Sequence, residues 1–599
     1  MAFLLAKGIV HEFCTFIKSL YSSVLWLDEN KYRLMKFHVK HFPGLLLFTL
    51  LLSLYAEAQP LTDSLGKKID GLFSYWNNAN SPGCAIGIFR TDSLIYAKGY
   101  GMANLEYGIP ITEKTIFHMA SVSKQFTAYS IVLLARKGKL KLDDDIHKWL
   151  PWFPDLHEKI TILHLLNHTS GIRDQWQLLA IAGTRLDDVI TQEQIIKVLG
   201  KQQALNFKPG EQYSYSNSGF TLLAEIVRSA SGRSLRQFTD SAIFKPLGMQ
   251  DTHFHDDYTE IVKNRAYSYQ RKGFSGFSNS ILSYSNAGAT SLFTNVNDMS
   301  KWVINFYKPV AGTAADIDQL VQKGKLNNGV ELSYARGIVS DRYKGWKQYS
   351  HSGGDAGFRT YVSVFPDLKL GFIVFSNLGD INVYEKTYQL ADLFIHDTTA
   401  KVPAPEIKID SSRALVKNGS EAKNFAGNYI SEDGTRFRFS MRNNKMYWER
   451  YGTSDLLYSG AKDSFVVAKT PEVKFVFNTT AGKKVVVNEY WPDNTRQLEK
   501  YISDSIGDEQ RKQCAGVYYS PELDCKYGIV VKGHELVMTN SKYDDSPIKT
   551  TGPDHLFTDY WWMRHLLLIR DSQDKITGFE VNDGRIMHLR FNKIQYGIR

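Results

Sequence analysis

The clearest alternation of apolar and polar positions lies between residues 84 and 108. Cys84-Ala-Ile-Gly-Ile-Phe89 is an apolar run, Arg90-Thr91-Asp92 is a polar break, and Leu94-Ile-Tyr-Ala-Lys-Gly-Tyr-Gly101 follows. The spacing predicts a β-hairpin. From about Val122 to Lys137 the pattern changes. Nearly every residue between Phe126 and Ala135 is apolar or small, which predicts a helix buried on all sides and stopped by Gly138. Residues 160–168 and 219–230 are further helical candidates, the second preceded by a Pro209-Gly210 turn. Late in this region 359–365 and 370–376 read as strands turned at Pro366-Asp367, and 382–396 as a helix. Strands at both ends with helices between them predict an α+β fold, an α-β-α sandwich whose sheet takes the first and last strands.

After His396 the pattern changes again. Residues 401–420, with Pro403 and Pro405, have neither helical nor strand period and read as a linker. Beyond it, short alternating runs with frequent turns (FRFSM, KMYWE, SFVVA, KFVFN, KVVVNEYW) are an all-β pattern. This pattern repeats: Ala426-Gly427-Asn428-Tyr429 matches Ala515-Gly516-Val517-Tyr518. With a one-residue offset, Phe437 and Phe439 match Tyr527 and Ile529, before turns at Asn443-Asn444 and Gly533-His534. Closing a sheet removes its exposed edges, so two small antiparallel β-barrels are expected, at 421–505 and 506–599.

At the other end, Gly44–Tyr55 is an apolar run too short to span a bilayer but suited to a signal-peptide core. Lys36, His38, Lys40 and His41 precede it, and Ala56-Glu57-Ala58 supplies a small-x-small cleavage site, so the mature chain is expected to begin near Gln59. Met35 stands where such a peptide would start, so residues 1–34 of the 1–58 leader and signal peptide are expected to come from an upstream start codon or to form a long unstructured leader. Retention of 44–55 as a membrane anchor is the alternative. The catalytic region then spans 59–400.

Composition adds exclusions. A net charge of +10 without a dense Lys/Arg block describes a basic soluble surface and argues against nucleic-acid binding. Of the four cysteines, Cys14 falls in the leader, Cys84 in an apolar strand, and Cys514 and Cys525 flank a short polar segment where they can pair in an oxidising compartment. There is no Cys-x-x-Cys or His-Glu-x-x-His. His164 and His168, four apart, have no evident acidic or cysteine partner, so neither metal nor cofactor is expected. Trp561 and Trp562 read as barrel core. There is no Gly-x-Ser-x-Gly elbow.

Three short motifs carry chemistry. Ser121-Val-Ser-Lys124 opens the buried helix, and i,i+3 spacing places hydroxyl and amine on one face. A desolvated lysine loses its proton more readily and can take that of the serine, while the helix N-terminus favours a developing oxyanion. Ser123 is the alternative helix cap. Tyr215-Ser-Asn217 offers a phenol able to give and take a proton beside a lysine, and an amide able to hold a substrate carbonyl or orient that lysine. His351-Ser352-Gly353-Gly354 precedes the late strand pair, and its glycines let a substrate backbone approach N–H donors.

In this order and setting the motifs resemble the serine β-lactamase and DD-peptidase superfamily, in particular its class C-like branch of esterases and D-aminopeptidases. Supporting phrases are Ser81-Pro-Gly-Cys84, Lys98-Gly-Tyr-Gly101, Leu166-Asn-His-Thr-Ser-Gly171 and Tyr215-Ser-Asn-Ser-Gly-Phe220. The resemblance covers about Gln59 to His396. It implies an acyl-enzyme on Ser121, proton transfer by Lys124 and Tyr215, substrate binding by Asn217, His351, Ser352 and Gly353, and an oxyanion hole from the backbone of Ser121 and Gly354. The superfamily's usual third motif begins with lysine, which attracts a substrate carboxylate. His351 stands there instead, which favours peptide or ester substrates over β-lactams or C-terminal D-Ala-D-Ala. The barrels resemble the lipocalin-like appendages of D-aminopeptidases, in which a barrel loop can shape the active site. The expected protein is therefore an exported hydrolase of the bacterial periplasm or cell surface, acting on a small peptide, ester or cell-wall-derived substrate. β-Lactamase or DD-carboxypeptidase action and a ligand-binding envelope protein without turnover are the alternatives.

Overall fold

A computed structural model describes residues 63–396 except 274–275, and 423–594 except 451, 461–462, 480–483, 492–493, 502–505 and 553. The expected leader, cleavage site and linker lie outside the described residues. No helix among the described residues is long and apolar enough to cross a membrane.

Helix α1 (Asp63–Phe73) leads into the hairpin β1 (Cys84–Arg90) and β2 (Ser93–Tyr100). A 3₁₀ turn at Ala120–Ser123 runs into α2 (Lys124–Arg136), and α3 (Asn217–Ser231) and α4 (Val296–Asn305) follow. Strands β3 (Val339–Tyr343), β4 (Trp346–Asp355), β5 (Phe358–Phe365) and β6 (Leu370–Ser376) precede α5 (Val383–Asp392). The six-stranded antiparallel sheet has the order β3-β4-β5-β6-β1-β2, so the first hairpin closes against the last strand.

Strand parity explains the sandwich. Ile86 pairs with Val374 and Ile88 with Phe372, and all four join the apolar cluster containing Ile69 and Phe73 of α1 and Leu390 of α5. Their neighbours Ala85, Phe89, Ile373 and Phe375 point the other way, into the core shared with α2, α3 and α4. Both faces are therefore covered, as the near-continuous apolar runs require. Helix α2 is buried from Lys124 to Leu134, and it ends at Gly138, whose φ of 65° suits glycine.

Two closed eight-stranded barrels follow, one from Gly427 to Tyr501 and one from Gly516 to Ile594. In each, consecutive strands pair and the last returns to the first. The sequence repeat builds the same corner twice. Gly427 (φ 145°) and Gly516 (φ 154°) leave room for Lys500 and Lys593, whose Cε atoms would lie 2.5 and 2.6 Å from an added Cβ. Those lysines donate to Asn424 O (2.6 Å) and Gln513 O (2.5 Å). The buried Tyr429 and Tyr518 donate to Phe425 O and Cys514 O.

Barrel one has its own apolar core, whereas the core of barrel two is continuous with that of the sandwich. A buried ion pair, Arg173 to Glu522 at 2.7 Å, anchors the junction. Arg173 also donates to Met587 O and His588 O, and Tyr527 and Tyr543 donate to Ile181 O and Ala180 O. Cys514 and Cys525, which the sequence allowed to pair, are not joined. Cys84, Cys514 and Cys525 are free thiols, and burial pushes Cys514 up to about 11 and Cys525 up to about 12.

Candidate active site

Ser121 does not open the α-helix. It sits in the 3₁₀ turn before it, after Ala120, which is held at φ 47°, a left-handed conformation costly for a residue with a Cβ. Ser123 does not cap α2 by its side chain; its hydroxyl donates to Ala120 O and accepts from Leu292 N–H, tying the turn to a strand at Leu292–Thr294.

Lys124, the first residue of α2, is fully buried. Its Nζ donates to Ala289 O at 2.7 Å, Asn217 Oδ1 at 2.8 Å and Ser121 Oγ at 3.1 Å, and it lies 4.9 Å from the centre of the Tyr215 ring. Desolvation, then the charge of Arg585, lowers its pKa to about 7 against the opposing pull of Asp174 and Asp355. The Tyr215 phenol is raised by burial, although a hydrogen bond with Ser121 and the charge of Arg585 act the other way, so it stays protonated at neutral pH.

Asn217 begins α3, and Asp174 fixes it: Asp174 Oδ2 accepts from both its N–H and its Nδ2, each at 2.8 Å. The amide oxygen is thereby turned to Lys124. His168 supports the neighbouring residues, with Nδ1 accepting from Ser216 N–H and its ring 4.2 Å from that of Tyr215. His164 accepts from Thr161 N–H in a capping box, and His168, beyond the helix end at φ 58°, is not on one helix face with it. His164 thus caps its own helix, and His168 holds Ser216 and the Tyr215 ring.

The third motif lies on β4. Ser352 O can only accept, so His351 Nδ1 donates to it (2.6 Å) and Nε2 accepts from Tyr334 Oη (3.0 Å). Burial and the nearby Lys124 push His351 down to about 3. The imidazole is neutral and both its nitrogens are used within the protein, so it presents a ring edge and no free donor. Ser352 and Gly354 face the cleft, but Gly353 does not. It packs beneath, where a Cβ would lie 2.3 Å from Met119 O and 3.1 Å from the Ala120 Cβ. The expected role of Gly353 in substrate binding is therefore corrected to close packing behind the turn that holds Ser121.

These groups line a cleft of about 760 Å³, with Ser121, Tyr215, Asn217, His351, Ser352 and Gly354 on the sandwich side. Barrel two supplies the opposite wall through Trp561, Arg564 and Asp583-Gly584-Arg585. Arg585 lies 4.8 Å from the centre of the Tyr215 ring and 3.6 Å from Asp174 Oδ2. Trp561, expected in the barrel core, is 42% exposed and forms part of this wall; its neighbour Trp562 packs against Tyr543 and Tyr560. Asp355 completes one end and accepts from Thr290 Oγ1 at 2.9 Å. Sequence reasoning missed Asp174, Tyr334, Asp355 and Arg585. The first stands three residues beyond the Leu166–Gly171 phrase, a signal close at hand, whereas Arg585 has no local signal.

Comparison with known proteins gives a consistent family. The model of the family described as Beta-lactamase matches residues 70–394. The chain is 27% identical over 412 residues to Penicillin-binding protein 4* of Bacillus subtilis (strain 168), covering 66% of this chain and 90% of that protein. It is 24% identical over 548 residues to a D-aminopeptidase of Brucella anthropi, covering 86% and 96%. A solved structure described as SurE matches at a TM-score of 0.50 with 20% identity, over 73% of this chain and 98% of the other, a likeness of fold.

Proposed function

This chain belongs to the Beta-lactamase family, here represented by serine hydrolases, and from that premise we propose that it cleaves amide or ester carbonyls of small peptides, as a D-aminopeptidase or esterase does. In this reading Ser121 Oγ attacks the carbonyl carbon while Lys124 Nζ takes the hydroxyl proton. The oxyanion accepts from the backbone N–H groups of Ser121 and Gly354. Tyr215 passes a proton to the departing amine or alkoxide as the bond to carbon breaks. Water then attacks the acyl-serine, its proton returns through the same groups, and the acid product leaves with the Ser121 hydroxyl restored.

The observation that carries this reading is the environment of Lys124. Asn217 Oδ1 and Ala289 O hold two of its hydrogens. The neutral amine keeps its lone pair in the third direction, toward Ser121 Oγ, and a pKa of about 7 populates that form at neutral pH. The raised Tyr215 phenol suits a proton relay better than a phenolate base. Asn217 acts on Lys124 as a positioning residue.

A peptide or ester substrate is supported by the neutral, internally bonded His351, and by the D-aminopeptidase relative that spans most of the chain. A second reading, β-lactamase or DD-carboxypeptidase, is favoured by one observation: Arg585 places a cation at the cleft that can meet a substrate carboxylate from the opposite wall. Action outside the cytoplasm is proposed with the first reading, on the apolar run at Gly44–Tyr55.

The test is labelling with a fluorophosphonate probe followed by mass mapping, with turnover of a D-alanyl anilide, a p-nitrophenyl ester and nitrocefin. We expect the label on Ser121, its loss in Ser121→Ala with at least a ~10⁴-fold fall in kcat, and the anilide or ester preferred to nitrocefin. Absent labelling and turnover would leave only the ligand-binding reading, and nitrocefin as best substrate would install the second.

A further inference from the structure

A separate group of polar side chains lies on the short strand His253–Phe254, which pairs with Leu292–Thr294. His253 and His255 are two apart, so their rings fall on one side of the strand. Their centroids are 5.7 Å apart and both pack on Phe293. The chain then turns and brings back Glu260, with Oε2 3.9 Å from His253 Nε2 and 3.6 Å from His255 Nδ1. One ligand atom from each residue lies within 4.8 Å of the other two.

His255 is only 2% exposed, yet neither of its ring nitrogens has a hydrogen-bond partner, and His253 Nε2 has none either. Buried polar atoms are nearly always partnered. Here two of these unpartnered nitrogens, His253 Nε2 and His255 Nδ1, face one carboxylate. Burial first, then neighbouring cations, lowers both rings' pKa, His255 to about 4, so both are neutral bases at pH 7, the form that ligates a metal.

We propose that His253 Nε2, His255 Nδ1 and Glu260 Oε2 bind a divalent transition-metal ion of the zinc type, at a site distinct from the catalytic cleft. Two imidazoles and a carboxylate form a borderline donor set that suits zinc, whereas calcium and magnesium take oxygen. Donors about 2.0–2.2 Å from a tetrahedral zinc lie roughly 3.3–3.6 Å from one another, so the two separations to Glu260, 3.9 and 3.6 Å, need only a small closure, and the two nitrogens start within 4.8 Å of each other. Arg236 donates to both Glu260 oxygens and to Asp256. It can keep Glu260 Oε1 and Asp256 while Oε2 turns to the ion. The nearby charges of Arg236 and Arg265 oppose a cation, which sets the expected affinity at micromolar rather than nanomolar. His253 and Glu260 are partly exposed and leave access for the ion and a water.

The ion would brace the sheet behind the nucleophile. Phe293 pairs with His253 on one side and with His118 on the other, and His118 lies three residues before Ser121. The role is structural, so hydrolysis is not the readout.

The test is calorimetric titration of the chelator-treated full chain with zinc at pH 7.5. One equivalent should bind with a micromolar constant. His253→Ala and His255→Ala should each weaken binding at least tenfold with an unchanged circular dichroism spectrum, and Ser121→Ala should leave it unaltered. No uptake by the wild-type chain, or uptake equal in the histidine variants, would overturn the proposal. Should either variant fail to fold, anomalous scattering at the zinc edge from zinc-soaked wild-type crystals decides. A peak between the three side chains supports the site, and a peak only elsewhere rejects it.

Discussion

At the residue scale the site turns on what surrounds one nitrogen. Lys124 has three acceptors and a fourth neighbour, Arg585, that is itself a cation. Because Arg585 favours the neutral amine, its removal raises the lysine pKa and leaves less base at a given pH. Arg585→Gln should therefore move the acid limb of kcat/KM, expected near pH 7, upward by roughly half to one unit; an unmoved limb would remove Arg585 from the control of Lys124. His351→Lys should place an ammonium where a neutral ring now stands and raise kcat/KM for carboxylate-bearing substrates relative to neutral esters by roughly tenfold. Equal selectivity in the two enzymes would show that this position does not set charge preference. Ser121 and Lys124 were legible because three residues of spacing fix their geometry once a helical turn is assumed. Asp174 was passed over although it stands three residues beyond a phrase already read, and Arg585 was not legible because the contacts that bring it to the cleft depend on packing between distant segments. His253 and His255 escaped for another reason: His-x-His is a ligand pair only on a strand, and this strand is two residues long.

At the element scale the apolar patterning translated directly. The hairpin at β1 and β2, the buried α2 and the strands β5 and β6 fall where alternation and run length put them. The 3₁₀ turn holding Ser121 did not show, since four residues carry no period and its shape depends on Ser123 bonding to Leu292. Gly353 could be read as a glycine a substrate needs, but its need is for the backbone of Met119. The barrel corners offer a test of the duplication. Gly427→Ala and Gly516→Ala meet the same clash and the same unfavourable φ, so each should cost about 1–3 kcal/mol, measured by denaturant unfolding. A neutral effect in either barrel would mean that its lysine and glycine do not form the shared device.

At the scale of the whole molecule the joining of first and last strands in one sheet and the two barrels followed from the sequence, because alternation and the internal repeat are local facts, whereas the two outer strands β3 and β4 did not. The docking of barrel two did not. It rests on a charge pair whose members, Arg173 and Glu522, are unremarkable alone and meaningful only when buried together. Removing one leaves the other's charge without its partner. Arg173→Ala should cost about 3–5 kcal/mol, while the paired change Arg173→Met with Glu522→Leu should cost clearly less. Denaturant melts distinguish them, and a double variant as unstable as the single would show that the ion pair itself holds the junction.

Arg585 has a further bearing on how such a chain comes into being. Ser121 is made early in synthesis, and Arg585, in the wall opposite it, late. On the proposed mechanism, a chain truncated before barrel two is therefore expected to hold the Lys124 proton more tightly and to take a fluorophosphonate label at Ser121 more slowly than the full chain.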